Sequence, residues 1–175
     1  MDNDPVTIRW TDDWRAYGSV HATAYRDAYR DIMDAAYLNE FTLERREIHY
    51  GSLAALGTTA ILSVDGRDAG CMALGACVDP DLANGRTLGE LDAIYLLPQY
   101  RGSGYGKRML SWALARFEEQ GRGYAILWVL ERNTPAIAFY ARCGFEQDGA
   151  ARTIERGQKY VQIRMRMELD GERGM

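Results

Sequence analysis

A run of small and cationic residues, Arg101-Gly102-Ser103-Gly104-Tyr105-Gly106-Lys107, is the part of the chain best equipped for chemistry. An apolar stretch over 88–97 precedes it and is stopped by Pro98. An amphipathic stretch over 104–120 follows, with Leu110, Ala113, Leu114 and Phe117 on one face. Glycine tolerates φ > 0 and lets a ligand come close to the backbone. The first N–H groups of a helix lack internal partners and carry the positive end of its dipole. Strand, glycine turn and helix in that order therefore make an anion site, suited to a phosphate or diphosphate.

Two phosphate loops fail against these letters. A Walker A loop needs a glycine five residues before Gly106-Lys107 and a Ser or Thr after it, but Arg101 and Arg108 stand there. A dinucleotide fingerprint needs G-x-G-x-x-G, whereas the glycines fall at 102, 104 and 106.

The elements that must position the turn read as a mixed α/β domain. Val6 to Trp10 alternates like a strand, and Thr11 or Asp12 then caps a helix reaching about Arg30. A second helix is expected over 42–56, ending at Gly57. Strands over 58–64 and 69–78 are joined by Asp65-Gly66, a strong hairpin signal, and 79–87 is a polar loop. Gly121 ends the helix after the glycine turn. The apolar run 124–130 reads as a central strand covered on both faces. Asn133 or Thr134 caps a last helix, with Pro135 in its first turn and Gly144 past its end. The alternating segment 161–169 closes the sheet, exposing Arg164 and Arg166.

With 175 residues, one domain over 1–175 is expected. Hydrophobic residues at 47% and charged residues at 26% describe a globular chain. The net charge of −4 disfavours a generic grip on nucleic acid. Cys71, Cys77 and Cys143 lack metal-ligand spacing and are odd in number, which points to reduced thiols without a disulfide framework or metal. No apolar run is long enough to cross a membrane, and the acidic start Met1-Asp2-Asn3-Asp4 is unlike a signal peptide, so the cytoplasm is the expected compartment.

The pattern Arg101-x-x-Gly104-x-Gly106 between strand and helix resembles the acetyl-CoA-binding turn of the GCN5-related N-acetyltransferases. A second segment resembles the same family: strand 124–130, Asn133, a helix carrying Phe139-Tyr140, then Gly144-Phe145. The close resemblance covers 88–145, and the earlier elements match in layout only. It implies a mostly antiparallel twisted sheet, splayed between its fourth and fifth strands and flanked by helices. It also implies direct acetyl transfer from acetyl-CoA, without a metal, to a primary amine on a small molecule or a peptide N-terminus.

By that resemblance the backbone of Gly102, Ser103, Gly104, Tyr105, Gly106 and Lys107 binds the diphosphate, with charge from Arg101, Lys107 and Arg108. Ile94, Tyr95 and Leu96 pair with the pantetheine arm as an added strand, and an N–H near Leu96 faces the thioester oxygen. Asn133 lies near the pantetheine, or is a plain helix cap. Tyr140, seven residues later, matches the family's general-acid tyrosine, or is a half-buried packing tyrosine; Phe139 reads as core. Glu90 is the candidate base, directly or through water, or else a plain surface carboxylate; by alternation it shares a face with Asp92 and Ile94. Some relatives carry a base five residues before the Asn, where this chain has Trp128. Tyr25 and Tyr29 form an acceptor wall able to recognise a cation, or pack a helix on the sheet. His21 and His49 read as surface or packing residues, and Cys143 as packing. An idle acyl-CoA-binding module and an O-acyltransferase remain as alternatives. The resemblance also implies a homodimer, to which the 161–169 strand could contribute, with Arg164 and Arg166 arguing neither way.

Overall fold

The computed structural model describes residues 5–79, 81–82, 85 and 87–169. The acidic start over 1–4 and parts of the 79–87 loop lie outside them. Seven strands form one mixed sheet in the order β1-β2-β3-β4-β5-β7-β6. They are β1 (Val6–Trp10), β2 (Thr59–Val64), β3 (Arg67–Val78), β4 (Thr87–Leu96), β5 (Tyr124–Leu130), β6 (Glu146–Arg156) and β7 (Gln158–Glu168). The helices are α1 (Trp14–Ala28), α2 (Ala35–Glu40), α3 (Glu47–Ala55), α4 (Tyr105–Glu119) and α5 (Thr134–Arg142). The chain divides into two compact units, Met1–Ala73 with Ala93–Leu110, and Leu74–Asp92 with Ser111–Met175.

In the first unit, β1 and β3 flank β2 as antiparallel neighbours. Asp65 and Gly66 take φ of 50° and 74°, the paired left-handed conformation that a two-residue hairpin demands. Helix α1 starts one or two residues later than expected: Asp13 caps it, accepting from the Arg15 and Ala16 N–H groups, while Thr11 Oγ1 accepts from Asp13 N–H. Its inner face lays Tyr17 and Val20 on Tyr50, Ile61, Cys71 and Ala73. Gly18 permits close approach there, since a Cβ would fall 2.5 Å from the Tyr50 ring. The expected 42–56 helix is a 3₁₀ turn, Glu44–Arg46, followed by α3, and α2 precedes it unforeseen.

In the second unit, β4 and β5 run parallel and pair at Gly89↔Ala125 and Glu90↔Ile126, after which β5 and β6 flank β7 as antiparallel neighbours. Gly89 is glycine for a steric reason: an added Cβ would lie 2.3 Å from the Phe117 ring of α4. Phe117 is 1% exposed, a burial that contributes about 2–3 kcal/mol. Strand β6, absent from the sequence reading, is the largely exposed partner of β7.

Candidate functional site

The glycine turn has the backbone its sequence demands. Gly102 and Gly104 take φ of 80° and 84°, a region closed to most side chains, whereas Gly106 lies in the first turn of α4. Helical bonding begins with Arg108 N–H donating to Gly104 O at 3.1 Å, so the N–H groups of Tyr105, Gly106 and Lys107 precede the ladder. A Cβ on Gly102 or Gly104 would meet nothing within 4 Å, so open space lies over the bend.

Arg101 braces this turn. Its Nε and a terminal nitrogen donate to Leu96 O at 3.2 and 3.1 Å, and its other terminal nitrogen meets Asp27 Oδ2 of α1 at 2.5 Å. One side chain thus ties the end of β4, the turn and α1 together. Ser103 and Lys107 are exposed, and Arg108 donates to Val6 O at 3.4 Å.

Tyr95 points into the aromatic cluster of α1. Its hydroxyl lies 3.0 Å from that of Tyr29, and its ring meets His21 edge-on at 4.9 Å. Tyr29 is half-buried, and burial pushes its hydroxyl pKa up. Tyr25 is 8% exposed and stacks face to face on Phe41 at 3.9 Å, which accounts for it as packing. His21 is a packing residue: Nδ1 meets the Tyr50 hydroxyl at 3.0 Å, and its pKa falls to about 3, first through desolvation and then through Arg46 and His49. It is neutral at physiological pH.

In one unit Gly89 abuts Phe117 of α4; in the other Leu96 reaches the space over Gly70 beside Met109. Glu90 and Asp92 share one face of β4 by alternation. The Asp92 carboxylate lies on Gly75, where a Cβ would fall 2.3 Å from Oδ2, and the Cys77 thiol bonds to Glu90. Asp92 stays open to solvent on one side, yet its carboxyl is pushed up to about 6, first by partial desolvation and then by the Glu90 charge. Cys77 is pushed up to about 11, by desolvation and then by Glu90.

Beside these carboxylates the sheet gathers residues that sequence reasoning missed. The Arg152 guanidinium carbon of β6 lies 4.2 Å from the Trp128 ring centroid, and its Nε donates to Gln162 Oε1 at 2.8 Å. Arg164, expected to be exposed, is only 13% so at its side chain, because it pairs with Asp79 and, at 2.6 Å, with Asp148. Arg166 bonds to Glu146 at 3.3 Å. The signals are cross-strand, Trp128↔Arg164 and Arg152↔Gln162, and become visible only once register is known.

Asn133 caps α5, its Oδ1 accepting from Ala136 N–H at 3.4 Å. Tyr140 and Phe139 are both half-buried on that helix, Tyr140 meeting Phe139 at 5.3 Å and Phe145 at 5.9 Å. Among the described residues no three His, Cys, Asp or Glu side chains gather as metal ligands, and no helix is long and apolar enough to cross a membrane.

Comparison with known proteins agrees with this architecture. An uncharacterized N-acetyltransferase of Methanocaldococcus jannaschii is 37% identical over 62 residues, 35% of this chain and 27% of that protein. The chain thus spans only about a quarter of that relative's length. The uncharacterized N-acetyltransferase YuaI of Bacillus subtilis is 28% identical over 137 residues, 77% of each chain. The structure of YncA from Salmonella typhimurium, solved with its cofactor acetyl-CoA, superposes with a TM-score of 0.67 at 20% identity, covering 98% of this chain and 97% of that one. The family model for Acetyltransferase (GNAT) matches residues 14–145, and with this match the chain belongs to the GNAT acetyltransferase family.

Proposed function

We propose that the protein is an acetyl-CoA-dependent N-acetyltransferase that passes an acetyl group directly to a primary amine. The observation that carries this reading is the bend at Gly102 and Gly104, left-handed and open above, opening into the N-terminus of α4. These residues fit a diphosphate: main-chain donors converge, and no side chain is needed or in the way. When bound, acetyl-CoA supplies the activated acyl group and a thiolate leaving group.

In this reading the N–H groups of Gly102 through Lys107 hold the diphosphate, while Arg101 keeps the bend in place through Leu96 O and Asp27. Ile94, Tyr95 and Leu96 offer their backbone to the pantetheine arm, and Asn133 caps the helix that carries Tyr140. Tyr140 Oη gives its proton to the departing sulfur, a transfer that runs from a pKa of ~10 to one of ~8.5 and is nearly balanced. An amine of pKa ~10.4 reaches the site mostly protonated at neutral pH. The Glu90–Asp92 pair removes that proton. Partial desolvation, and then the Glu90 charge, raise the basicity of Asp92, so it holds a proton nearer neutrality than an ordinary carboxylate does.

The test is acetyl-CoA binding by calorimetry, followed by thiol release in the presence of amines. Saturable binding and amine-dependent release are expected. A protein that binds no acetyl-CoA is not an acetyltransferase.

A further inference from the structure

Two arginines reach the Trp128 ring, Arg164 from the adjacent β7 and Arg152 from β6 beyond it, and they are partnered very differently. Arg164 is neutralised by two carboxylates, Asp79 and Asp148. Arg152, on the exposed β6, meets uncharged groups instead, the Trp128 face at 4.2 Å and Gln162 Oε1 at 2.8 Å. Among the described residues no carboxylate forms an ion pair with it, and its four terminal N–H donors carry no hydrogen bond. Holding a guanidinium flat and in register while leaving its fork unused is how a carboxylate site is prepared for a ligand.

Its neighbours complete the picture. Glu90 pairs with Ile126 on β5, the last rung of that ladder, and Asp92 follows two residues further along β4. The charges of Glu90 and Asp92 act on Arg152, yet Gly75 and Cys77 engage these carboxylates on the β3 side. Two carboxylates of β4 thus act by their charge on a guanidinium that, among the described residues, has no ion pair of its own.

The geometry points to Arg152 as the carboxylate anchor of the acceptor site, with Trp128 and Gln162 as its positioning residues. The acceptor is then a small zwitterion of the amino-acid class, its amine turned toward Glu90 and Asp92 and its carboxylate forked by Arg152. This rests on the acetyltransferase reading and narrows it, because a neutral amine or a long peptide would leave the Arg152 fork empty.

The experiment measures thiol release from acetyl-CoA with three sets of acceptors: amino acids, their α-amides, and the matching decarboxylated amines. Acetyl-CoA binding is followed in parallel by calorimetry. The expected result is a preference for the acids of roughly 10–100-fold in kcat/KM, the worth of a charged hydrogen-bonded pair. R152Q should collapse the acid-over-amide ratio toward one, and R152K should keep part of it, a point charge replacing a fork. The ratio is internal to each variant, so a small loss of stability does not disturb it. Equal use of acids and amides by the natural protein overturns the assignment, as does a ratio that survives in R152Q. Saturable acetyl-CoA binding with no acid acetylated overturns the zwitterion assignment alone. No acetyl-CoA binding removes the reading beneath it as well.

Discussion

Gly75 bears no functional group, yet its replacement by alanine should slow acetyl transfer while leaving the fold almost untouched. An added Cβ would lie 2.3 Å from Asp92 Oδ2, 3.1 Å from Cγ and 3.4 Å from Oδ1. Contacts below 3.0 Å are not sustained, so the carboxylate must retreat by at least 0.7 Å. It sits at the end of a short side chain with solvent on one side, so the retreat is a rotamer change costing about 0.5–1.5 kcal/mol. A displacement near 1 Å at a reacting group costs on the order of 10²-fold in rate, so Gly75→Ala should lose roughly 10–100-fold in kcat. Thiol-release kinetics read the loss, calorimetry with acetyl-CoA should show unchanged affinity, and thermal unfolding should show a small shift. Full activity in Gly75→Ala would refute the role given to Asp92, since no active arrangement of that carboxylate fits beside the methyl group.

Tyr140→Phe should slow turnover by ~10²–10⁴-fold with little change in acetyl-CoA affinity, and equal rates would remove Tyr140 from the mechanism. The pH profile of kcat/KM should rise through about 6 as Asp92 ionises, and Glu90→Gln should move that limb to lower pH by removing a like charge; an unmoved limb would uncouple the pair. Folding carries the same signature. A carboxyl whose pKa is raised in the folded state stabilises it below the ordinary carboxylate range, and loses that contribution as pH rises through about 6. Asp92→Asn should therefore gain on the natural protein above pH 6, by about 1 kcal/mol once solvent screening is allowed for, and parallel melting curves across that pH would contradict it. Gly104→Ala places a side chain at φ 84° and should cost about 1–2 kcal/mol of stability, read by denaturant unfolding; a neutral change would mean the bend relaxes freely.

What was legible in the chain was local. The Asp65-Gly66 hairpin, the α4 helix with Leu110, Ala113 and Phe117 inward, and the glycine turn all announce themselves within a dozen residues. Strand β6 did not, because most of its residues face solvent and no apolar alternation marks it. With β6 hidden, Arg152 had no neighbours, and its pairing with Trp128 and Gln162 is a product of register. The union of Glu90 with Asp92 on one face was legible because it follows from period two. The cap of α1 was misplaced at Thr11 or Asp12, since both can accept, whereas it is Asp13 whose Oδ1 reaches two N–H groups.

Bare main-chain donors at Gly102–Lys107 are assigned here to a diphosphate. Backbone amide NMR tests that assignment most directly, titrating CoA in one sample and pantetheine, which lacks the diphosphate, in another. CoA should shift the amide resonances of Gly104, Tyr105, Gly106 and Lys107 strongly, and pantetheine should leave them nearly in place. CoA binding with those amides unmoved would contradict it.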